Sequence, residues 1–249
     1  MFRLSFGVPA AAAYDRAITI FAPDGRIYQV EYAYESVRRG WTTLGMRSEN
    51  GAVLVVHKKK TQPLIDEKFI QKIYVVDEHV GATFAGMAGD GRVLIEYART
   101  IALLHRFYYD EPVTIEYIAR RVGNVKQAYT QHAGVRPFGV MLIFAGIDDE
   151  PRVFATEPTG RYVSYYAVTA GEKSSEALSL IEKKYSVKMS ADELVKLGVE
   201  VIANSAEEKI TSENLEIGLI TVSEKKFRIL GFEEVERIIR ELVSEGRIK

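Results

Sequence analysis

Two adjacent threonines, Thr42-Thr43, offer the nucleophile that the chain's other residues do not. A threonine hydroxyl is activated when the free α-amine of the same residue serves as its base, so the threonine must be residue 1 of a mature chain. Forty-one residues precede Thr42, and unless the chain is cleaved there this chemistry is closed. Other nucleophilic patterns are missing. There is no cysteine, Gly-x-Ser-x-Gly is absent, and no Ser/His/Asp order stands out. The four histidines (His57, His79, His105, His132) show no HxxxH or HxH spacing, so no histidine metal site is expected. The loop Gly86-Met87-Ala88-Gly89-Asp90-Gly91 lies where a phosphate cradle would sit, after a strand and before a helix. It lacks the Lys-Ser/Thr of a P-loop, and its GxxGxG spacing is not GxGxxG, so a tight strand-to-helix turn is the favoured reading. Carboxylate neighbours such as Glu233-Glu234 have basic residues beside them and read as helix surface.

Lysines raise a different question. The run Lys58-Lys59-Lys60 reads as a solvated strand end. Lys72 lies inside the apolar run Phe69–Val76. There it either faces outward from the polar side of the pleat or presents its charge to a surface pocket. Alternation alone does not decide between these.

The 249 residues suffice for one large domain with a substantial core. Net charge is −1, with acidic and basic residues interleaved, so neither nucleic acid nor a membrane surface is expected as a partner. The absence of cysteine fits a reducing cytoplasm. No apolar run reaches the roughly 20 residues that span a bilayer. The opening MFRLSFGVPAAAA imitates a secretory leader, but Gly7 and Pro9 interrupt its short apolar stretch. Met1–Ala13 is therefore read as a flexible small-residue tail.

After the tail, Pro23-Asp24-Gly25 is a turn, since Pro presets φ and Gly accepts φ > 0. Ile27, Val30, Ala33, Tyr34 and Val37 then recur at helical spacing up to Gly40, which is expected to stop the helix at C′. Thr42–Met46 and Ala52–His57 form a hairpin across Asn50-Gly51, and Phe69–Val76 pairs with Val80–Ala85. Two helices follow the glycine loop, with apolar faces from Val93 to Tyr108 and from Ile115 to Tyr129. Gly139–Gly146, Arg152–Thr156 and Tyr162–Thr169 read as three strands. Helices return at Ser174–Tyr185 and Ser190–Glu208, the second opened by the capping box Ser190-x-x-Glu193. Strands at Ile217–Val222 and Phe227–Leu230 precede a last helix, Phe232–Glu245. Hairpins beside paired helices predict two mostly antiparallel sheets packed face to face with helices outside each, in one domain.

With these elements placed, the segment YDRAITIFAPDGRIYQVEYA, its following helix and Gly40 closely resemble the N-terminal signature of proteasome α-type subunits. GMAGDGRVLIEYAR, VRPFGVMLIFAGID and EPTGRYVSYYAV resemble further segments of that family in the same order, and the single-type archaeal form is the nearest in character. The resemblance implies an α+β fold, the four-layer αββα sandwich of N-terminal-nucleophile hydrolases. It also implies an extra N-terminal helix that lies across the top of the central cleft. Residues 14–249 would be one such domain and Met1–Ala13 a gate over the pore of a seven-membered ring. The proteolytic threonine would belong to partner β subunits. This chain would then be non-catalytic and cofactor-free: a cytoplasmic scaffold, gate and dock for the C-terminal tails of an AAA+ ATPase activator, admitting unfolded polypeptides. By the same resemblance, Tyr14, Asp15, Arg16, Pro23 and Tyr32 hold the open gate. Glu31, Lys72 and Gly86 line the docking pocket, where the Lys72 ammonium meets a chain-end carboxylate. His132, Ala133 and Gly134 belong to the pore constriction loop, with His132-Ala133 standing where an aromatic and a glycine are expected. Two rivals remain: a self-processing hydrolase with Thr42 or Thr43 as nucleophile, and a nucleotide-binding module using Gly86–Gly91.

Overall fold

The computed structural model describes residues 20–59, 64–66 and 70–248. The tail Met1–Ala13, together with Tyr14, Asp15, Arg16 and Lys60, lies outside the described residues.

Helix α1 (Tyr28–Arg38) leads into the hairpin β1 (Thr43–Ser48) and β2 (Gly51–His57), and then into the hairpin β3 (Ile73–Asp77) and β4 (Val80–Gly86). Helices α2 (Ala88–Tyr109) and α3 (Ile115–Ala128) follow. Four strands come next: β5 (Val140–Ile147), β6 (Pro151–Thr156), β7 (Tyr162–Ser164) and β8 (Ala167–Ala170). Helices α4 (Ser174–Lys184) and α5 (Ala191–Ser205), strands β9 (Leu215–Thr221) and β10 (Arg228–Ile229), and helix α6 (Phe232–Ser244) complete the described order.

The strands make two antiparallel five-stranded sheets, ordered β10-β9-β2-β1-β8 and β3-β4-β5-β6-β7. Alternation along the central strands divides the core into layers, because successive side chains of a strand point to opposite faces. On β2, Val53 and Val55 pack outward with Ile181, Leu194 and Ile238, while Ala52, Leu54 and Val56 face the other sheet. On β5, Leu142 and Phe144 pack outward with Leu94 and Ile118, while Ile143, Ala145 and Ile147 join the layer between the sheets. Both faces of each central strand are thus covered, giving an αββα sandwich as expected. Val37 of α1 also enters the intersheet layer, so this extra helix plugs one end of it. At α5, the Ser190 hydroxyl accepts from Glu193 N–H and the Glu193 carboxylate accepts from Ser190 N–H, completing the capping box.

Two local expectations change, and a third is met for a different physical reason. Tyr162–Thr169 is two strands in different sheets. Tyr165 N–H still bonds Val153 in the second sheet, whereas Tyr166 C=O already accepts Arg47 N–H from the first. The crossing falls between consecutive residues, and each piece is too short to show its own period. Strand β3 starts at Ile73, so Lys72 precedes the strand instead of lying within it. The Glu216 carboxylate accepts the Lys72 N–H (3.2 Å) and the Ile73 N–H (3.0 Å), supplying a side-chain partner where a ladder would otherwise continue. Gly40 stands at C′ as expected, just after the C-cap Arg39, but it is not among the positive-φ glycines. It is needed for space: a Cβ there would lie 2.3 Å from the backbone nitrogen of Gly86.

A methyl group at position 40 has to push apart two main chains, not a flexible side chain. Gly40→Ala is therefore expected to destabilise the fold by about 1–3 kcal/mol, the usual range for overpacking. Thermal unfolding of the variant beside the parent chain checks this; an unchanged melting temperature would show that the contact yields freely.

Candidate functional site

The plugged end of the sandwich gathers the chain's chemically notable residues. Cross-strand pairing aligns Ala170, Thr43, Val56 and Glu216 in one row of the first sheet. Opposite them, β4 ends at Gly86, which pairs with Val140. Gly86 has φ +113, and a Cβ would sit 2.2 Å from Gly139 O, so only glycine fits.

The linker between α1 and β1 is clamped from several sides. Glu172 N–H donates to Gly40 O (2.8 Å), and His57 N–H donates to Thr42 O (2.9 Å). The Thr42 hydroxyl donates to Glu172 O (2.6 Å). The Thr43 hydroxyl lies 3.0 Å from Trp41 O and 3.4 Å from Phe84 O in the facing sheet. Both threonines are buried. Thr42 follows Trp41 in continuous chain, so its nitrogen is an amide and not the amine base that a threonine nucleophile requires.

Lys72 lies at this same end, only 6% exposed. Its Nζ sits 3.7 Å from the centroid of the Phe84 ring and 5.1 Å from that of Trp41. Burial pushes its pKa down to about 8, partly offset by the Glu216 charge. Burial likewise raises the Glu216 carboxyl, opposed by the Ile73 and Lys72 N–H groups and the Lys58 charge. Lys58 Nζ is 3.7 Å from Glu216, and Lys59 pairs with Glu172. These two lysines thus belong to the site, where the sequence suggests only a solvated run. Next to them, burial lowers the pKa of His57, whose Nε2 lies 3.1 Å from Glu208 Oε1.

The other expected site residues occupy two neighbouring places. The turn before α1 closes as expected, with Ala22 N–H on Arg26 O (2.8 Å) and the Arg26 guanidinium on Asp24 (2.7 Å). Pro23 is exposed there, and Tyr32 is 52% exposed on α1. Glu31, half-buried, lines a shallow recess with Phe21, Ile27, Val30, Thr130 and Thr159. Within one chain, Glu31 therefore groups with the turn, while Lys72 and Gly86 group with the plugged end. In the connection from α3 to β5, His132 and Ala133 are exposed, His132 Nδ1 lies 2.6 Å from Ala128 O, and Gly134 has φ +84. The base of that loop is fixed. The Arg136 guanidinium grips both Asp90 oxygens (2.7 Å each), and Asp90 also accepts Gly139 N–H (2.9 Å). Burial alone would raise the Asp90 pKa, but these donors outweigh it and hold the carboxyl below its ordinary value. Asp90 thus supplies the negative charge at the start of α2, where a phosphate cradle would need room.

Sequence reasoning misses Trp41, Phe84 and Glu216, which meet Lys72 from the α1–β1 linker, β4 and β9. It also misses Lys126, fully buried on α3, whose Nζ donates to Val140 O (3.0 Å), Thr156 O (2.8 Å) and Thr156 Oγ1 (2.8 Å). Burial lowers its pKa well below the ordinary lysine value. Among the described residues, no group of three or more His, Cys, Asp or Glu could hold a metal ion, and no helix is long and apolar enough to cross a membrane.

Comparison with known proteins adds two family matches. Residues 37–220 match the family model of proteasome subunits, and residues 14–35 match the N-terminal signature of A-type proteasome subunits. Relatives named as proteasome alpha subunits include one from Sulfurisphaera tokodaii, 47% identical over 96% of this chain and 100% of the relative. One from Saccharolobus islandicus is 46% identical over 96% of this chain and 100% of its own length. One from Saccharolobus solfataricus is 50% identical over 86% of this chain and 90% of its own.

The buried ammonium of Lys72 has a signature in stability against pH. Below about pH 8 the amine is charged in both folded and unfolded chains, and the folded state bears the full cost of burying it. Between about 8 and the ordinary value of 10.5 the folded chain binds fewer protons than the unfolded one, so stability rises with pH. Lys72→Met keeps the length and removes the charge. Its stability advantage over the parent is expected to be constant below pH 8 and to shrink across that window, as read by urea denaturation. A difference that does not change with pH would mean that Lys72 titrates as if exposed.

Proposed function

The chain belongs to the proteasome subunit family as an α-type member, and from that premise we propose that it is a non-catalytic component of the outer ring of the core particle. Seven copies build the ring, and β-type subunits beneath it carry the proteolytic threonine. Residues 14–249 form one αββα domain, and Met1–Ala13 is the gate over the axial pore. The particle works in the cytoplasm on unfolded polypeptides delivered by an ATPase ring. The observation that carries the non-catalytic reading is the clamp on residues 40–43. The position a nucleophile would take is mid-chain, its hydroxyls are held by Glu172 O and Trp41 O, and α1 plugs the layer above it.

Docking is the second part of the reading. Lys72 supplies a cation to the carboxylate that ends an activator's tail, a charge-assisted contact stronger than a neutral one. Gly86 lets main chains approach closely beside it. Glu31 comes from the α1 end of a neighbouring copy, which is why one chain holds it apart from Lys72. Pro23 and Tyr32, with Tyr14, Asp15 and Arg16, hold the tails in the open arrangement. Both Pro23 and Tyr32 are exposed near the start of α1, on the side where the chain enters from its N-terminus. His132, Ala133 and Gly134 face the pore from a loop whose base is braced by Asp90 and Arg136.

Two experiments test this on the assembled particle. Lys72→Ala is expected to leave ring assembly intact and abolish stimulation of substrate degradation by the ATPase ring; retained stimulation would remove Lys72 from the dock. Deleting Met1–Ala13 is expected to raise hydrolysis of a short fluorogenic peptide several-fold without any activator, and no increase would show that the tail is not the barrier.

A further inference from the structure

We propose that Trp41 and Phe84 form an aromatic holster that keeps the Lys72 ammonium stowed inside the sandwich, so that the two rings set how tightly a carboxylate-ended tail engages this pocket. The inference rests on the reading of Lys72 as the docking cation and adds the residues that tune it.

The Phe84 ring and the backbones of Trp41 and Lys72 are held from several sides. Nζ lies 3.7 Å from the Phe84 centroid and 5.1 Å from the Trp41 centroid, both inside cation–π range. The rings come from different sheets: Phe84 from β4, Trp41 from the lead into β1. Phe84 is fixed because Gly91 lies flush against its ring, where a Cβ would come within 2.6 Å, and because Tyr74 stacks on it at 6.3 Å. Trp41 is fixed through its backbone, between the Glu172-to-Gly40 bond and the close approach of Gly171 to its carbonyl. The Lys72 backbone is fixed by Glu216. The Lys72 aliphatic stem and its charge extend from that fixed backbone between the two rings.

A tail carboxylate competes with this arrangement. The stowed lysine is only 6% exposed, so a negative group outside meets little of its charge until the side chain swings out. Apparent affinity is then the intrinsic affinity scaled by the fraction of chains with Lys72 extended. Burying the ammonium works against stowing, and the cation–π attraction offsets part of that cost, lowering the extended fraction by roughly threefold to thirtyfold relative to the same pocket without the rings. Removing one ring raises it. A tail held by several members of a ring overcomes this bias more readily than a single peptide does, because linked contacts multiply.

The test uses assembled rings and a fluorescein-labelled heptapeptide copying the C-terminus of the ATPase that activates the particle, with the C-terminally amidated peptide as control. Affinity is read by fluorescence anisotropy for the parent, Trp41→Leu, Trp41→Phe, Phe84→Leu and Lys72→Ala rings, each first shown to assemble. Trp41→Leu is expected to bind the free-acid peptide about tenfold more tightly, Trp41→Phe close to the parent, and Lys72→Ala not detectably. Phe84→Leu supplies the same test should Trp41→Leu not assemble. Unchanged or weaker binding by the leucine variants, with binding still lost in Lys72→Ala, would overturn the holster and leave the dock standing. Binding that survives Lys72→Ala, or that ignores amidation, would overturn the dock and the holster with it.

Discussion

Two main chains meet at Gly40 and Gly86 with no room for a side chain on either, and the rest of this end of the molecule follows from that contact. It ties the close of α1 to the close of β4, so the extra helix sits where Val37 can enter the layer between the sheets. The helix in turn fixes the path of residues 41–43. Trp41 is thereby set beside Lys72, and the two threonines are turned into ordinary buried hydroxyls bonded to carbonyls. A chain that began at Thr42 would lack the Gly40–Gly86 contact, the Val37 plug and the Trp41 carbonyl, keeping only the bonds of Thr42 and Thr43 to Glu172, His57 and Phe84.

Two buried lysines show how differently the structure treats an interior charge. Lys126 is surrounded by oxygens: three acceptors from β5 and β6 receive its Nζ, and it stitches α3 to the second sheet close to the loop that carries His132. Lys72 has aromatic faces and a carboxylate that bonds its backbone. Burial depresses the amine in both cases. Oxygen acceptors at fixed hydrogen-bond distance hold a group in one place, whereas the face of a ring attracts a cation with little directional demand. The first environment suits a structural brace. The second suits a group that has to leave its site and return.

Much of this architecture is legible in the order of residues. The period-2 runs, the Pro23-Asp24-Gly25 turn and the Ser190-x-x-Glu193 box each specify their local structure through short-range chemistry. The αββα layering follows from hairpins set beside paired helices. The remainder depends on contacts between distant segments. Glu216 lies 144 positions from Lys72, and nothing in the local pattern of either marks the pair. The split of Tyr162–Thr169 between sheets reflects which neighbours are within reach, not its composition. Gly40 reads locally as a helix stop and does stand at C′, but its close approach to Gly86 is defined only by the assembled sheets. Lys126 reads as one more polar position on an amphipathic helix, because the carbonyls that satisfy it come from strands elsewhere in the chain.

On the proposed reading, the chain with its plugged end intact is a ring-forming scaffold and not a protease precursor. Native mass spectrometry of the purified chain, alone and with a β-type partner, tests this most directly. The expected result is assemblies containing seven or fourteen copies, each retaining the residues before Thr42. A monomer trimmed to begin near Thr42 would contradict it and place the nucleophile in this chain.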